Sequence, residues 1–267
     1  MTLDFLRPYY VEKKIRAGKL KDGGYVLEEG SLKAVEVIYA YGVGWDISFE
    51  KAIFKKLGRT CKIFDPTIGL SNFSKHGYIY GKGKYYLFKY FVATALWKPY
   101  IYLHRALGYK IKFYSEGLAT KKEKNYDSFP NHIKRFKDEK KKIFLKIDID
   151  GGEYEIFKNA EFIAALSNVV QLAVEFHNVK GNLMELKNIM DSISDKLSMV
   201  HIHGNNWGGT FEYEGKKIPN VLELTFIANN FIAEKVFDKA NYPIAGIDFA
   251  NKPSVPEINL SQFTSHF

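Results

Sequence analysis

Asp148 and Asp150, Glu175 and His177, and His201 and His203 close three apolar, β-rich runs of the sequence. Residues two apart on a strand share a face, so each pair can aim both side chains at one place. Carboxylates beside imidazoles have two chemical uses. An acid can orient a histidine as a general base, or oxygen and nitrogen together can ligate a divalent metal. Transfer to a hydroxyl needs one or the other, because a neutral alcohol is a poor nucleophile until its proton leaves or a metal lowers its pKa. The candidate catalytic residues are Asp148, Asp150, Glu175, His177 and His203, and a metal, if used, would sit on Asp148, Glu175 and His203. The plainer alternative is that these acids cap helices or pair with lysines and that His201 only packs.

A second group of residues could bind a ligand. The run Ala34–Ala40 leads into Tyr41-Gly42-Val43-Gly44-Trp45-Asp46, and a helical stretch opens near Ser48. Gly42 and Gly44 allow close backbone approach, and a helix start presents free N–H groups to a polar or anionic group. A dinucleotide fingerprint needs a third glycine where this chain has Ile47, so a nicotinamide cofactor does not fit. Asp65 ends the next β-rich run. There its carboxylate can accept two ribose hydroxyls, or simply form a turn before Pro66.

Both groups require a particular scaffold. β-rich runs over 34–40, 61–64, 111–114, 143–149, 169–176, 199–203 and 221–227 alternate with helical patterns over 48–57, 154–166 and 183–197, with Gly58 as a C-cap. That order predicts a doubly wound, Rossmann-like, mostly parallel seven-stranded sheet with an antiparallel last strand, in one domain spanning 1–267. An aromatic and basic insertion over 77–110 reads as helices on the edge of the core, as a cap over the acceptor, or as a membrane-surface patch. Asn205 and Asn206 precede Gly208-Gly209 and are either turn residues or partners of a substrate hydroxyl.

Composition sets limits. The 267 residues are 46% hydrophobic and 26% charged, as in a globular chain. One cysteine, Cys61, rules out an internal disulfide and suits a cytoplasmic setting. No signal peptide is expected, and no apolar run reaches the ~18 residues of a membrane span. The net charge of +9 comes mostly from lysine. Base and phosphate readout lean on arginine, so a solvated surface is expected rather than a nucleic-acid partner. Peripheral contact with an anionic membrane also fits.

Several stretches, in order, resemble the FkbM-type and METTL-like class I methyltransferases that use S-adenosylmethionine (SAM). They are Arg16-Ala-Gly18 with Asp22-Gly-Gly-Tyr-Val26, Tyr41-Gly-Val-Gly44 through Glu50, Lys146 to Glu153, Gln171 to His177, His203-Gly-Asn-Asn-Trp207, and Gly246 to Pro253. The resemblance implies SAM as cofactor and methyl transfer to oxygen, often on a sugar. It implies cofactor contacts at Gly24, Tyr25, Tyr41, Gly42, Val43, Gly44, Asp46 and Ser48, to which the strand-end position of Asp65 adds that residue. The acceptor expected is a carbohydrate, free or nucleotide-linked and destined for a surface polysaccharide. The resemblance leaves the oligomeric state open. The family often has Glu where this chain has Asp150, which shortens the reach of that carboxylate.

Three other readings compete. Asp148-Ile149-Asp150 is a D-x-D, the pattern by which glycosyltransferases hold a metal and a nucleotide sugar, but it leaves the Gly42/Gly44 turn unexplained. An RNA base methyltransferase would show Asn-Pro-Pro-aromatic where this chain has Asp148-Ile-Asp-Gly151. A non-catalytic module on the same fold would have no use for the acid–histidine cluster.

Overall fold

The computed structural model describes residues 2–68 and 84–263, with side chains from 91 onward in the second stretch. A hairpin comes first, β1 (Lys14–Gly18) against β2 (Gly24–Glu28), followed by the short helix α1 (Glu29–Leu32). Then come β3 (Val37–Tyr41), α2 (Ser48–Leu57), β4 (Thr60–Phe64), the long helix α3 (Lys84–Ala106) and β5 (Ile111–Tyr114). The two-residue strands β6 (Gly117–Leu118) and β7 (Tyr126–Asp127) lead to α4 (Phe129–Arg135) and β8 (Ile143–Ile147). The second half contains α5 (Glu153–Lys158), α6 (Ala160–Ala165), β9 (Val169–Phe176), α7 (Val179–Ile193) and β10 (Leu197–Gly204). A small hairpin of β11 (Thr210–Tyr213) and β12 (Lys216–Pro219) precedes β13 (Leu222–Ala228).

Among the described residues, seven strands form one sheet in the order β10-β13-β9-β8-β3-β4-β5. Within it, only β13 runs against its neighbours. This is the expected doubly wound, mostly parallel sheet with a reversed last strand. The order reverses between β3 and β8, and a ligand cleft in such a sheet lies beyond the carboxyl ends at that switch point.

Every residue of β3, β8 and β9 is buried. Their near-continuous apolar runs reflect a sheet covered on both faces. Alternate residues feed two cores: Val37, Tyr39 and Tyr41 point to one, with Phe64, Phe129 and Phe157, while Ile38 and Ala40 point to the other, with Leu27, Ile53 and Phe144. The second core is roofed by the β1–β2 hairpin, α2 and Trp97 of α3, whose ring meets Phe113 edge-on.

Several boundaries differ from the sequence reading. The helix expected over 154–166 is two short helices, because Asn159 is extended (ψ 119°) and caps the second by accepting from Phe162 N at 2.9 Å. The helix expected over 183–197 is α7, with Asn182 off helical geometry near its start (φ −131°). Gly58 closes α2 in the left-handed region, as anticipated. Of the insertion over 77–110, the part before Lys84 lies outside the described residues, and α3 packs against β5 at the sheet edge. Among the described residues, no helix is long and apolar enough to cross a membrane.

Candidate active site

A cleft of about 1050 Å³ opens at the carboxyl ends of β3, β4, β8 and β9, where the switch point places it. Gly42 shapes its floor. A Cβ there would stand 1.4 Å from the carbonyl oxygen of Asp148, and the backbone is left-handed (φ +73°), so only glycine lets the β3 and β8 exits close on each other. Gly44 faces open space, since a Cβ added to it would meet nothing within 4 Å, and its N–H donates to Asp65 Oδ2 at 2.8 Å. Asp65 Oδ1 accepts from Thr67 N at 2.8 Å and Thr67 Oγ1 at 2.5 Å. One buried carboxylate thereby ties the loop after β3 to the loop after β4. Oδ1 is filled by its two bonds from Thr67, and Oδ2 retains one further accepting direction.

Asp46 lines the cleft and accepts from Ser48 N at 3.0 Å and Ser48 Oγ at 2.9 Å, which fixes the start of α2. Ser48 is spent on that contact and does not line the cleft. Tyr41, also expected at the cofactor, does not line it, because its ring points to the opposite core and its hydroxyl meets His132 Nδ1 at 2.8 Å. Gly23, not Gly24, lines the cleft; a Cβ on Gly24 would lie 2.1 Å from Lys19 O.

Below the cleft lies a compact polar network. Tyr25 of β2, buried and expected at the cofactor, directs its hydroxyl at Asp148 Oδ2 (2.9 Å) and Glu175 Oε2 (3.2 Å). Lys146 of β8 donates to the same Asp148 oxygen at 3.1 Å and to Gly42 O at 3.2 Å. Burial works to lower the Lys146 pKa, but Asp148 and Glu50 outweigh it and keep the ammonium charged. Glu175 Oε1 accepts from Asn205 Nδ2 at 2.8 Å. Burial, reinforced by Asp148 and Glu223, holds the Glu175 carboxyl well above its ordinary range.

His177 faces this network. Its Nδ1 lies 3.0 Å from Glu153 Oε1, which also accepts from Gly151 N at 3.1 Å and Ile149 N at 3.3 Å. Glu153 is fully buried, so it fixes the ring and leaves Nε2 turned to the cleft, 3.6 Å from Asp150 and 3.7 Å from Glu175. Burial lowers the His177 pKa, but the bond to Glu153 and the charge of Glu175 carry it up to about 9. Asp150 is left-handed (φ +56°) and its side chain is almost wholly in solvent.

Two residues expected at the site are elsewhere. His203 is on the edge strand β10, with β13 between it and Glu175, so about 10 Å of sheet separates them. It is buried with Nδ1 at 2.9 Å from Glu223 and Nε2 at 3.2 Å from Glu257, and no ring nitrogen remains for a substrate or a metal. Burial works against its charge, but Glu223 and Glu257 raise its pKa to about 10. Asn206 donates to the carbonyls of Lys252, Val255 and Pro256 and accepts from Lys252 N, so it latches the C-terminal segment rather than lining the cleft. His201 packs, with Nε2 at 2.9 Å from Asp248.

Among the described residues, the group able to hold a cation is therefore Asp148, Glu175 and His177, with one ligand atom of each within 4.8 Å of the others. His177 stands in the place expected of His203, and Asp150 of the D-x-D is outside the group. Lys146, Glu153, Glu50 and Trp207 were not anticipated as site residues. Lysine in the middle of the apolar run Ile143–Ile147 was the available signal for the first.

No family model matches the chain. A stretch of 90 residues is 28% identical to the capsid-associated protein VP80 of Autographa californica nuclear polyhedrosis virus, spanning 34% of this chain and 12% of that protein. The fold is similar to the METTL16 MTase domain, at 11% identity and TM-score 0.38, over 74% of this chain and 62% of that one. It is also similar to precorrin-6y C5,15-methyltransferase from Geobacter metallireducens GS-15 (8% identity, TM-score 0.36, 74% and 85% covered). A third similar fold is a human methyltransferase 10 domain containing protein (11% identity, TM-score 0.32, 72% and 71% covered).

Proposed function

We propose that the chain is a SAM-dependent O-methyltransferase whose acceptor is a carbohydrate hydroxyl. The observation that carries this reading is a convergence at one mouth. The Gly42/Gly44 turn tied to Asp65 and the histidine oriented by Glu153 open into the same cleft at the switch point. The open space above Gly44 fits a cofactor laid against the backbone there. Asp65 would hold a ribose hydroxyl with the remaining accepting direction of Oδ2.

When bound, the cofactor supplies an electrophilic methyl group. The chain supplies position and a proton acceptor. His177 Nε2 takes the acceptor's hydroxyl proton, with Glu153 stabilising the ring that results. In the ligand-free cleft the surrounding acids keep that ring protonated, and positive charge brought in by a ligand favours the accepting form. Glu175, anchored by Asn205 and Tyr25, stands beside the same nitrogen. Trp207, 60% exposed on the cleft wall, offers a flat apolar face of the kind a sugar ring packs on.

A second reading keeps the reaction and replaces the base. A divalent cation on Asp148, Glu175 and His177 would lower the hydroxyl's pKa directly. One experiment separates the readings: transfer of labelled methyl from SAM to a panel of free sugars and, in parallel, to RNA, with and without EDTA, for the natural chain and His177→Ala. Labelled sugar formed in EDTA and lost in His177→Ala supports the base. Loss in EDTA supports the metal. Label reaching RNA alone would overturn the acceptor class.

A further inference from the structure

The cleft is acidic although the chain is basic. Among the described residues, seven acidic side chains line it against three lysines, while the net charge of the whole chain is +9. Six of those acids have partners that account for them, through the contacts of Asp46, Asp65, Asp148 and Glu175 given above, Asn251 on Asp22 at 3.3 Å, and His177 beside Asp150. Glu50 differs. It sits in the first turn of α2, is 1% exposed, and neither carboxylate oxygen has a hydrogen-bond partner among the described residues. An ionised carboxylate left so is among the costliest groups a protein can bury.

The groups facing Glu50 explain why nothing nearby neutralises it. Lys146 of β8 is the attractive charge, but its ammonium is bonded to Asp148 and Gly42 O. Asp46 and Asp148 repel. On β4 the neighbour is the Cys61 thiol, itself pushed up by burial and by Glu50. On the hairpin packed against α2, Arg16 is committed to the carbonyls of Lys19 and Lys21, and Tyr25 to Asp148 and Glu175. Burial consequently lifts Glu50 to about 7.

We propose that Glu50 selects ligands by charge: a cationic ligand enters the cleft with the Glu50 carboxylate as its buried counter-charge, and the proton that Glu50 held leaves to solvent. This deepens the reading above and rests on it, since the sulfonium of SAM carries the charge that its demethylated product lacks. Donor would then be held more tightly than product.

Calorimetry with SAM and with S-adenosylhomocysteine tests this at about pH 6, in two buffers of different ionisation enthalpy. The difference between buffers counts protons released. The expected result is proton release with SAM and little with S-adenosylhomocysteine. SAM should also be preferred by at least about fivefold, a preference that Glu50→Gln erases while keeping its affinity for S-adenosylhomocysteine. If Glu50→Gln does not fold, the count is repeated on His177→Gln, whose side chain has no proton to release: release that persists there belongs to Glu50, and release that vanishes there overturns its role. Equal affinities with no proton release would overturn the role of Glu50 and leave the cofactor assignment intact. Failure of both ligands to bind would overturn the cofactor assignment, and this inference with it.

Discussion

Replacing Glu50 with Gln should stabilise the protein in a pH-dependent way, and the size follows from its burial. The group's folded value of about 7 stands above its ordinary 4.5. A raised acid leaves full stability below the unfolded value and removes it as pH climbs to the folded one. That difference corresponds to about 3 kcal/mol lost by the natural chain above neutrality, at ~1.4 kcal/mol per pH unit. By about pH 5 less than about 1 kcal/mol of that loss remains. Glutamine cannot ionise, so its variant escapes this slope, while the cost of its own buried amide is the same at both pH values. Urea unfolding of both proteins at about pH 5 and about pH 8 gives a double difference in which that amide cost cancels. The expected value is about 2–3 kcal/mol in favour of Gln at the higher pH. A double difference near zero would mean that Glu50 is solvated or paired in solution, which would remove the basis for its role in ligand selection.

Gly42→Ala should abolish S-adenosylhomocysteine binding and lower the melting temperature, because its Cβ meets the Asp148 carbonyl; Gly44→Ala, with open space and φ +53°, should cost only about 1–2 kcal/mol of stability. His203→Gln should cost about 3 kcal/mol by leaving Glu223 and Glu257 without their cation. The His203 contribution is complete below about pH 6.5 and lost as pH rises through about 10, so denaturation midpoints of His203→Gln and the natural chain should converge at high pH. A His203→Gln protein of unchanged stability but no turnover would instead return His203 to the chemistry. Trp207→Ala should raise the KM for a sugar acceptor by about fivefold to tenfold with little change in S-adenosylhomocysteine affinity; an equal loss of both would place the ring on the cofactor.

The sheet was legible because its strands announce themselves. The runs at 111–114 and 169–176 match β5 and β9 residue for residue: β9, buried along its whole length, is apolar but for Gln171 and Glu175, and β5, at the sheet edge, keeps the β-rich Ile111, Phe113 and Tyr114 around an exposed Lys112. The turn at Gly42 was legible because its glycines follow a strand and precede a helix. What pairs with what across the sheet was not. His203 and His177 look alike in sequence, each ending a β-rich run. Only the strand order, with β13 inserted between β9 and β10, separates them. Asn205 and Asn206 are adjacent, yet one anchors Glu175 and the other holds the C-terminal segment, a difference set by contacts nearly 50 residues away in the chain. Glu50 gave no signal at all. An acid in a helix's first turn is ordinary, and its isolation depends on what the sheet places beneath it.

The central claim is that the cleft at the β3–β8 switch point binds an S-adenosyl cofactor through the Gly42/Gly44 turn and Asp65. Calorimetric titration of the natural chain and of Asp65→Ala with S-adenosylhomocysteine tests it most directly. The account predicts saturable binding at one site in the natural chain and clearly weaker binding in a folded Asp65→Ala protein. No heat of binding from the natural chain, with or without added divalent metal, would contradict it.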